Sequence, residues 1–147
     1  MLEALKQAWK AFNEKEVPVG AVLVHQGRVI ARGYNQMELL RDATAHAEMV
    51  AIRDAVKKMG HWRHLREATL YVTLEPCPMC AGAIVQTRIK TLVYGTKDSK
   101  AGAVHSLMNL VDDSRLNHRA EIISGVLEDE CIKLMKDFFA QLRGREK

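Results

Sequence analysis

The strongest restriction on the fold is a repeated change of hydrophobic period along the chain. Leu2, Leu5, Trp9 and Phe12 recur at helical spacing and predict an amphipathic helix over residues 2–15. "VGAVLVHQGRVIARG" then reads as two strands joined at Gln26-Gly27, with the glycine supplying the turn. Helical spacing returns from about Thr44 to Lys58, where Met49, Val50, Ile52 and Val56 are apolar. "ATLYVTL" is a buried strand, and Pro78 suits the first turn of a helix running to about Arg88. "TLVYG" and "RAEIISG" supply a fourth and a fifth strand. In the last helix Cys131, Leu134, Met135, Phe138, Phe139 and Leu142 line one face. Its start is acidic (Glu128, Asp129, Glu130) and its end basic (Lys136, Arg143), as the helix dipole favours. Strands alternating with helices imply an α/β domain, one sheet with helices on its faces. The strand order does not follow from this pattern.

A chain of 147 residues fits one domain, residues 1–147, and is long enough to bury a core without staples. Three cysteines are too few for a disulfide framework and odd in number, so a reducing, cytoplasmic setting is expected. Glu3, Lys6, Lys10, Glu14, Lys15 and Glu16 leave no apolar signal core at the start. The longest nearly apolar run, Val17 to Val24, is too short to cross a bilayer, so no membrane is expected as a partner. The net charge of +4 is compatible with a polyanionic partner such as nucleic acid, a property shared by many proteins that bind none.

The chemistry concentrates in "LEPCPMC", Leu74 to Cys80. Cys77 and Cys80 at the start of a helix share one face, and the helix N-terminus favours their thiolates. That geometry serves a redox dithiol or a metal equally well. A structural zinc site wants four protein ligands, and Cys131 is a poor candidate because it falls on the apolar stripe of the last helix. The better partner is "TAHAEMVAI", where His46 opens a helix and Glu48 lies two residues on. Residues i and i+2 of a regular helix do not share a face, so both are not expected as metal ligands. His46, Cys77 and Cys80 give three ligands and one open position, the arithmetic of a catalytic zinc, with Glu48 within reach of a water there.

His46-Ala47-Glu48 followed by Pro76-Cys77-Pro78-Met79-Cys80 resembles the zinc signature of the cytidine and nucleotide deaminase superfamily. "EVPVGAVLV", "TAHAE", "ATLYVTLEPCPMCAGAI", "GTKDSKAGAVHSLMNL" and "NHRAEIISGVLEDEC" are similar to the bacterial tRNA-specific adenosine deaminases, and the likeness runs from about Leu2 to Leu142. The resemblance implies a three-layer α/β/α sandwich around a five-stranded mixed sheet, usually a homodimer. It implies one zinc ion per chain, held by His46, Cys77 and Cys80, and Glu48 as the catalytic proton carrier. Asn35 is implied as a contact to the flipped base, the Ala47 amide as a support for the intermediate's oxygen, and Asp98 as a neighbour of the target's sugar-phosphate. The substrate implied is the wobble adenosine of an arginine tRNA anticodon stem-loop. The zinc motif alone equally serves deaminases of free nucleosides or bases (cytidine or guanine), or an engineered relative working on single-stranded DNA. A zinc-dependent binding module without catalysis has little use for Glu48 or an open metal position.

Glu75 reads either as an anchor for a loop or as an ordinary charge at a strand end. His61, Trp62, Arg63 and His64 read as a join between helix and strand, although aromatic-basic mixtures can stack bases. Arg119, Arg143, Arg145 and Lys147 are candidate phosphate contacts or solvated surface.

Overall fold

The computed structural model describes residues 1–146, so Lys147 lies outside the described residues. Helix α1 (Leu2–Asn13) leads into strands β1 (Gly20–His25) and β2 (Arg28–Tyr34), followed by a short helix α2 (Met37–Leu40) and α3 (Ala47–Met59). A 3₁₀ helix (Trp62–Glu67) joins α3 to β3 (Thr69–Leu74), and α4 (Pro78–Thr87), β4 (Thr91–Thr96), β5 (Glu121–Ile123) and α5 (Glu128–Arg145) complete the chain. Gln26 and Gly27 both adopt positive φ, 51° and 75°, as the two central residues of a tight type I′ hairpin turn do.

The sheet has five strands in the order β2-β1-β3-β4-β5. β1 runs antiparallel to both β2 and β3, whereas β3, β4 and β5 are mutually parallel. The register sorts the helices into layers. Gly20 pairs with Tyr34 and Ala21 with Gly33, so Gly20 and Gly33 face opposite sides of the sheet. A Cβ on Gly20 would overlap α1 at Ala4 and Ala8, and one on Gly33 would overlap α3 at Ala47 and Ala51. α1 and α3 therefore lie on opposite faces, so close that only a residue without a side chain fits beneath each. α5 joins α1 through a core of Leu5, Ala8, Cys131 and Leu134. α3 and α4 share the larger core on the other face, with Ala51, Ala55, Ala81 and Ile84 over Leu70, Val72 and Leu92. This is the expected α/β/α sandwich around a mixed sheet.

Local differences have local causes. α3 begins at Ala47, three residues later than the periodicity suggests, because His46 keeps an extended backbone (φ −69°, ψ 154°) at its N-cap. Phe139 and Leu142 lie on the apolar stripe of α5 yet are 39% and 36% exposed. α5 has 18 residues, roughly 27 Å of helix, and outruns the six-residue β4 beneath it at about 20 Å.

The strand directions gather one end of the sheet into a crevice. Val19 precedes β1, Asn35 follows β2, Glu75 follows β3, and Lys97 follows β4. Because β2 and the parallel strands run oppositely to β1, all four positions lie at the same end.

Candidate metal centre and pocket

Two helix N-termini meet in this crevice. His46 is the N-cap of α3, Cys77 the N-cap of α4, and Cys80 lies in the first turn of α4. His46 Nδ1 is 3.5 Å from the Sγ atoms of both Cys77 and Cys80. One ligand atom from each of the three residues lies within 4.8 Å of the others, spacing that suits a shared metal ion. His46 escapes the face restriction on i and i+2 residues because it precedes the helix, so its ring turns toward the cysteines while Glu48 enters from the first turn.

The electrostatics fit a soft divalent metal. Cys77 accepts a hydrogen bond from Cys80 and is held down to about 4 by it, then by His46, against the opposing effect of burial. Cys80 is pushed the other way, first by its bond to the Cys77 sulfur and then by burial. Cys77 in turn raises His46. One thiolate beside a thiol and an imidazole, with no disulfide, is a donor set that matches zinc. Glu48 is 4% exposed, and burial pushes its carboxyl up to about 7.

Above the three donors lies a cavity of about 170 Å³. A cavity of roughly 150 Å³ can hold a benzene ring, so this one suits a ring system and not an extended chain. Val17, Val19, Leu74 and Ala101 give it apolar walls, and Asn35, Glu48 and Asp98 give it polar ones. Asn35 donates from Nδ2 to the Val17 carbonyl at 3.2 Å, and its own amide donates to the Val19 carbonyl at 3.0 Å. These bonds fix the side-chain amide and leave its buried Oδ1 without a partner among the described residues. An orphaned buried acceptor is costly unless an occupant satisfies it. Ala47, at N1 of α3, lines the same cavity and carries one of the amides that a helix start leaves without an intrahelical acceptor.

Asp98 combines two tasks. It lines the cavity, and its Oδ1 also accepts from the amides of Lys100 and Ala101 at 3.0 and 3.2 Å, closing its own turn. The whole loop hangs on Glu75. Glu75 Oε1 accepts from the Asp98 amide at 3.1 Å and the Ser106 hydroxyl at 2.5 Å. Its Oε2 accepts from the amides of Val104, His105 and Ser106 at 3.0, 2.8 and 3.0 Å. Burial works against its charge, but Ser106 and these amides outweigh it and hold the carboxyl at about 2. Of the two readings of Glu75, the structure bears out the loop anchor; nothing in the residue order distinguished it from a solvated glutamate. A second latch, also not foreseen, joins the buried Tyr94 hydroxyl to His105 Nδ1 at 2.5 Å.

Other candidates lie elsewhere. Cys131 is 2% exposed in the α1–α5 core, outside the metal-donor group. His61 caps the 3₁₀ helix by accepting from the Arg63 amide, and Arg63 lies over the Trp62 ring at 5.0 Å, so that segment is the join it was read as. Arg119 is paired with Asp112 at 2.7 Å.

Comparison with known proteins gives a consistent set of relatives. A profile for the MafB19-like deaminase family matches residues 1–143. The tRNA-specific adenosine deaminase of Bacillus subtilis (strain 168) is 52% identical over 147 residues, covering 100% of this chain and 91% of that protein. A solved structure from work on A-to-I editing by tRNA:A34 deaminases superposes with a TM-score of 0.87 at 47% identity, covering 91% of this chain and 96% of the other. The guanine deaminase of Bacillus subtilis gives 0.62 at 41% identity, over 65% of this chain and 61% of its own.

Proposed function

Since the chain belongs to the MafB19-like deaminase family and, within it, to the tRNA-specific adenosine deaminases, we propose that it hydrolyses adenosine to inosine at the wobble position of a tRNA anticodon. An arginine tRNA is the expected substrate. The observation that carries the chemistry is the meeting of Glu48 with His46, Cys77 and Cys80 under a cavity sized for one ring system.

His46, Cys77 and Cys80 would hold one zinc ion per chain. Bound zinc supplies Lewis-acid activation of water at neutral pH. The chain's own residues do the rest. Glu48 carries protons: its carboxylate takes one from the attacking water and delivers it to the purine N1. It then delivers the second to the exocyclic nitrogen, which leaves as ammonia when the C6–N bond breaks and the C6–O bond stays. The Ala47 amide supports the oxygen at C6. Asn35 Oδ1 takes a donor from the flipped nucleoside, and Val17, Val19 and Leu74 keep bulk water off the ring. Asp98 stands at the rim beside the sugar-phosphate.

The remainder of the proposal is a single deaminase domain over residues 1–147, acting as a homodimer in the cytoplasm. Three free cysteines are consistent with a reducing compartment, and no described helix is long and apolar enough to cross a membrane. Mass spectrometry of an arginine tRNA anticodon stem-loop after incubation tests the reading: wobble inosine is expected. The likeness to a guanine deaminase supplies the second reading, which ammonia release from free guanine without inosine in the RNA would favour.

A further inference from the structure

At the opposite end of the sheet from the catalytic pocket, Arg66, Arg88 and His118 line a separate cleft of about 260 Å³. Arg66 lies in the last turn of the 3₁₀ helix before β3, Arg88 follows α4, and His118 precedes β5. β3 separates the two sites by six residues, roughly 20 Å of strand. We propose that this cleft is a phosphate-binding site.

Its walls are fixed in advance. Arg88 Nη1 donates to the Asn117 carbonyl at 2.7 Å, and His118 Nε2 donates to the Ile89 carbonyl at 2.7 Å. These reciprocal bonds tie the two segments together. A carbonyl only accepts, so Nε2 carries a hydrogen; Nδ1 can donate to a phosphate oxygen in the doubly protonated ring, or accept from a phosphate that carries a proton. Arg88 holds φ 60°, a left-handed position that glycine fills at lower cost, and the side chain kept there supplies a guanidinium to the cleft. Among the described residues, no carboxylate lines the cleft. Of the acids adjoining these segments, Glu67 pairs with Lys90 at 3.2 Å, Asp112 with Arg119 at 2.7 Å and Asp113 with Arg115 at 2.7 Å, while Glu121 accepts from the Thr91 hydroxyl at 3.4 Å and forms no ion pair among the described residues. Neither Arg66 nor Arg88 forms an ion pair among the described residues. Two guanidiniums facing one cleft repel each other, and a phosphate accepting from both reverses that sign. At this distance the phosphate is not that of the reacting nucleotide. It belongs either to a remote stretch of RNA backbone or to a free phosphate compound.

The test has two arms on the full chain. In the first, imidazole NMR resonances are followed while sodium pyrophosphate is added at constant ionic strength. The His118 signal should move saturably, and Arg66→Gln should abolish the shift. In the second, KM and kcat are measured with a full-length tRNA transcript as a function of salt. If RNA backbone occupies the cleft, Arg66→Gln raises KM with kcat unchanged and lowers the log–log salt slope by about 0.7–0.9. Saturation at His118 with unchanged RNA kinetics assigns the cleft to a free phosphate compound. No saturable shift at His118 overturns the site, whatever Arg66→Gln does to RNA kinetics.

Discussion

Glu75 and Glu48 are carboxylates of 2% and 4% exposure, and their neighbours give them opposite tasks. Glu75 faces only donors, so it stays charged and acts as a fastening. Glu75→Gln turns one oxygen into an NH₂ group pointing at other N–H groups. Hydrogen bonds to a charged group are worth roughly 1.5–3 kcal/mol each, so stability should fall by at least that in denaturant unfolding. kcat/KM should fall with it while metal content holds, because the loop carrying Asp98 loses its anchor. Glu48 faces the cavity, and Glu48→Ala should reduce single-turnover deamination by about 10⁴-fold or more with zinc retained. Near-normal turnover in that variant would remove Glu48 from the mechanism. Asp98→Asn keeps an oxygen for the Lys100 and Ala101 amides, so the turn should survive. Any change is then a charge effect: activity on single-stranded DNA relative to RNA should rise, since DNA lacks the ribose 2′-OH that a carboxylate can accept from. An unchanged RNA-to-DNA ratio of kcat/KM would leave Asp98 with the turn alone.

The helix starts show what sequence can and cannot convey. Cys-x-x-Cys after a strand, with Pro78 directly behind its first cysteine, fixes a helix N-terminus, so the place of Cys77 and Cys80 was legible. His46 was legible as their partner, but its extended N-cap backbone was not, because propensity rules place helix ends only within a few residues. The four-residue α2 is too short to show any period. Cys131 was legible as core because it lies in register with Leu134 and Phe138. Cys77→Ser and Cys80→Ser should therefore lose zinc, and Cys131→Ser should keep zinc and activity at some cost in stability, all three read by metal analysis. Gly33 tests the element that carries His46. Gly33→Ala drives a Cβ into the backbone of α3 at Ala47 and Ala51. Overpacking of this kind costs about 1–3 kcal/mol, and here it falls on the first turn of α3, so thermal unfolding should come earlier and zinc affinity should drop.

At the scale of the molecule, strand order was the part the chain concealed. Local periodicity finds five strands, but their order rests on contacts between distant segments and on which crossover each helix makes. That order puts residues near 19, 35, 48, 75 and 98 at one end, which no spacing rule contains. It also puts His46 and Cys77 side by side although they are 31 positions apart. A metal bridging them closes the intervening chain into a ring. By the loop-closure rule used for disulfides, a ring of that size removes roughly 3–4 kcal/mol of disorder from the unfolded chain. Chelation should therefore lower the melting temperature, and metal repletion should restore it. The ring holds all of α3, the 3₁₀ helix and the central strand β3, which joins the hairpin to the parallel strands. Opening it frees a tether in the middle of the sheet, so limited proteolysis of the chelated protein should cut first between residues 47 and 76. One ion would thus set both the protein's chemistry and its lifetime.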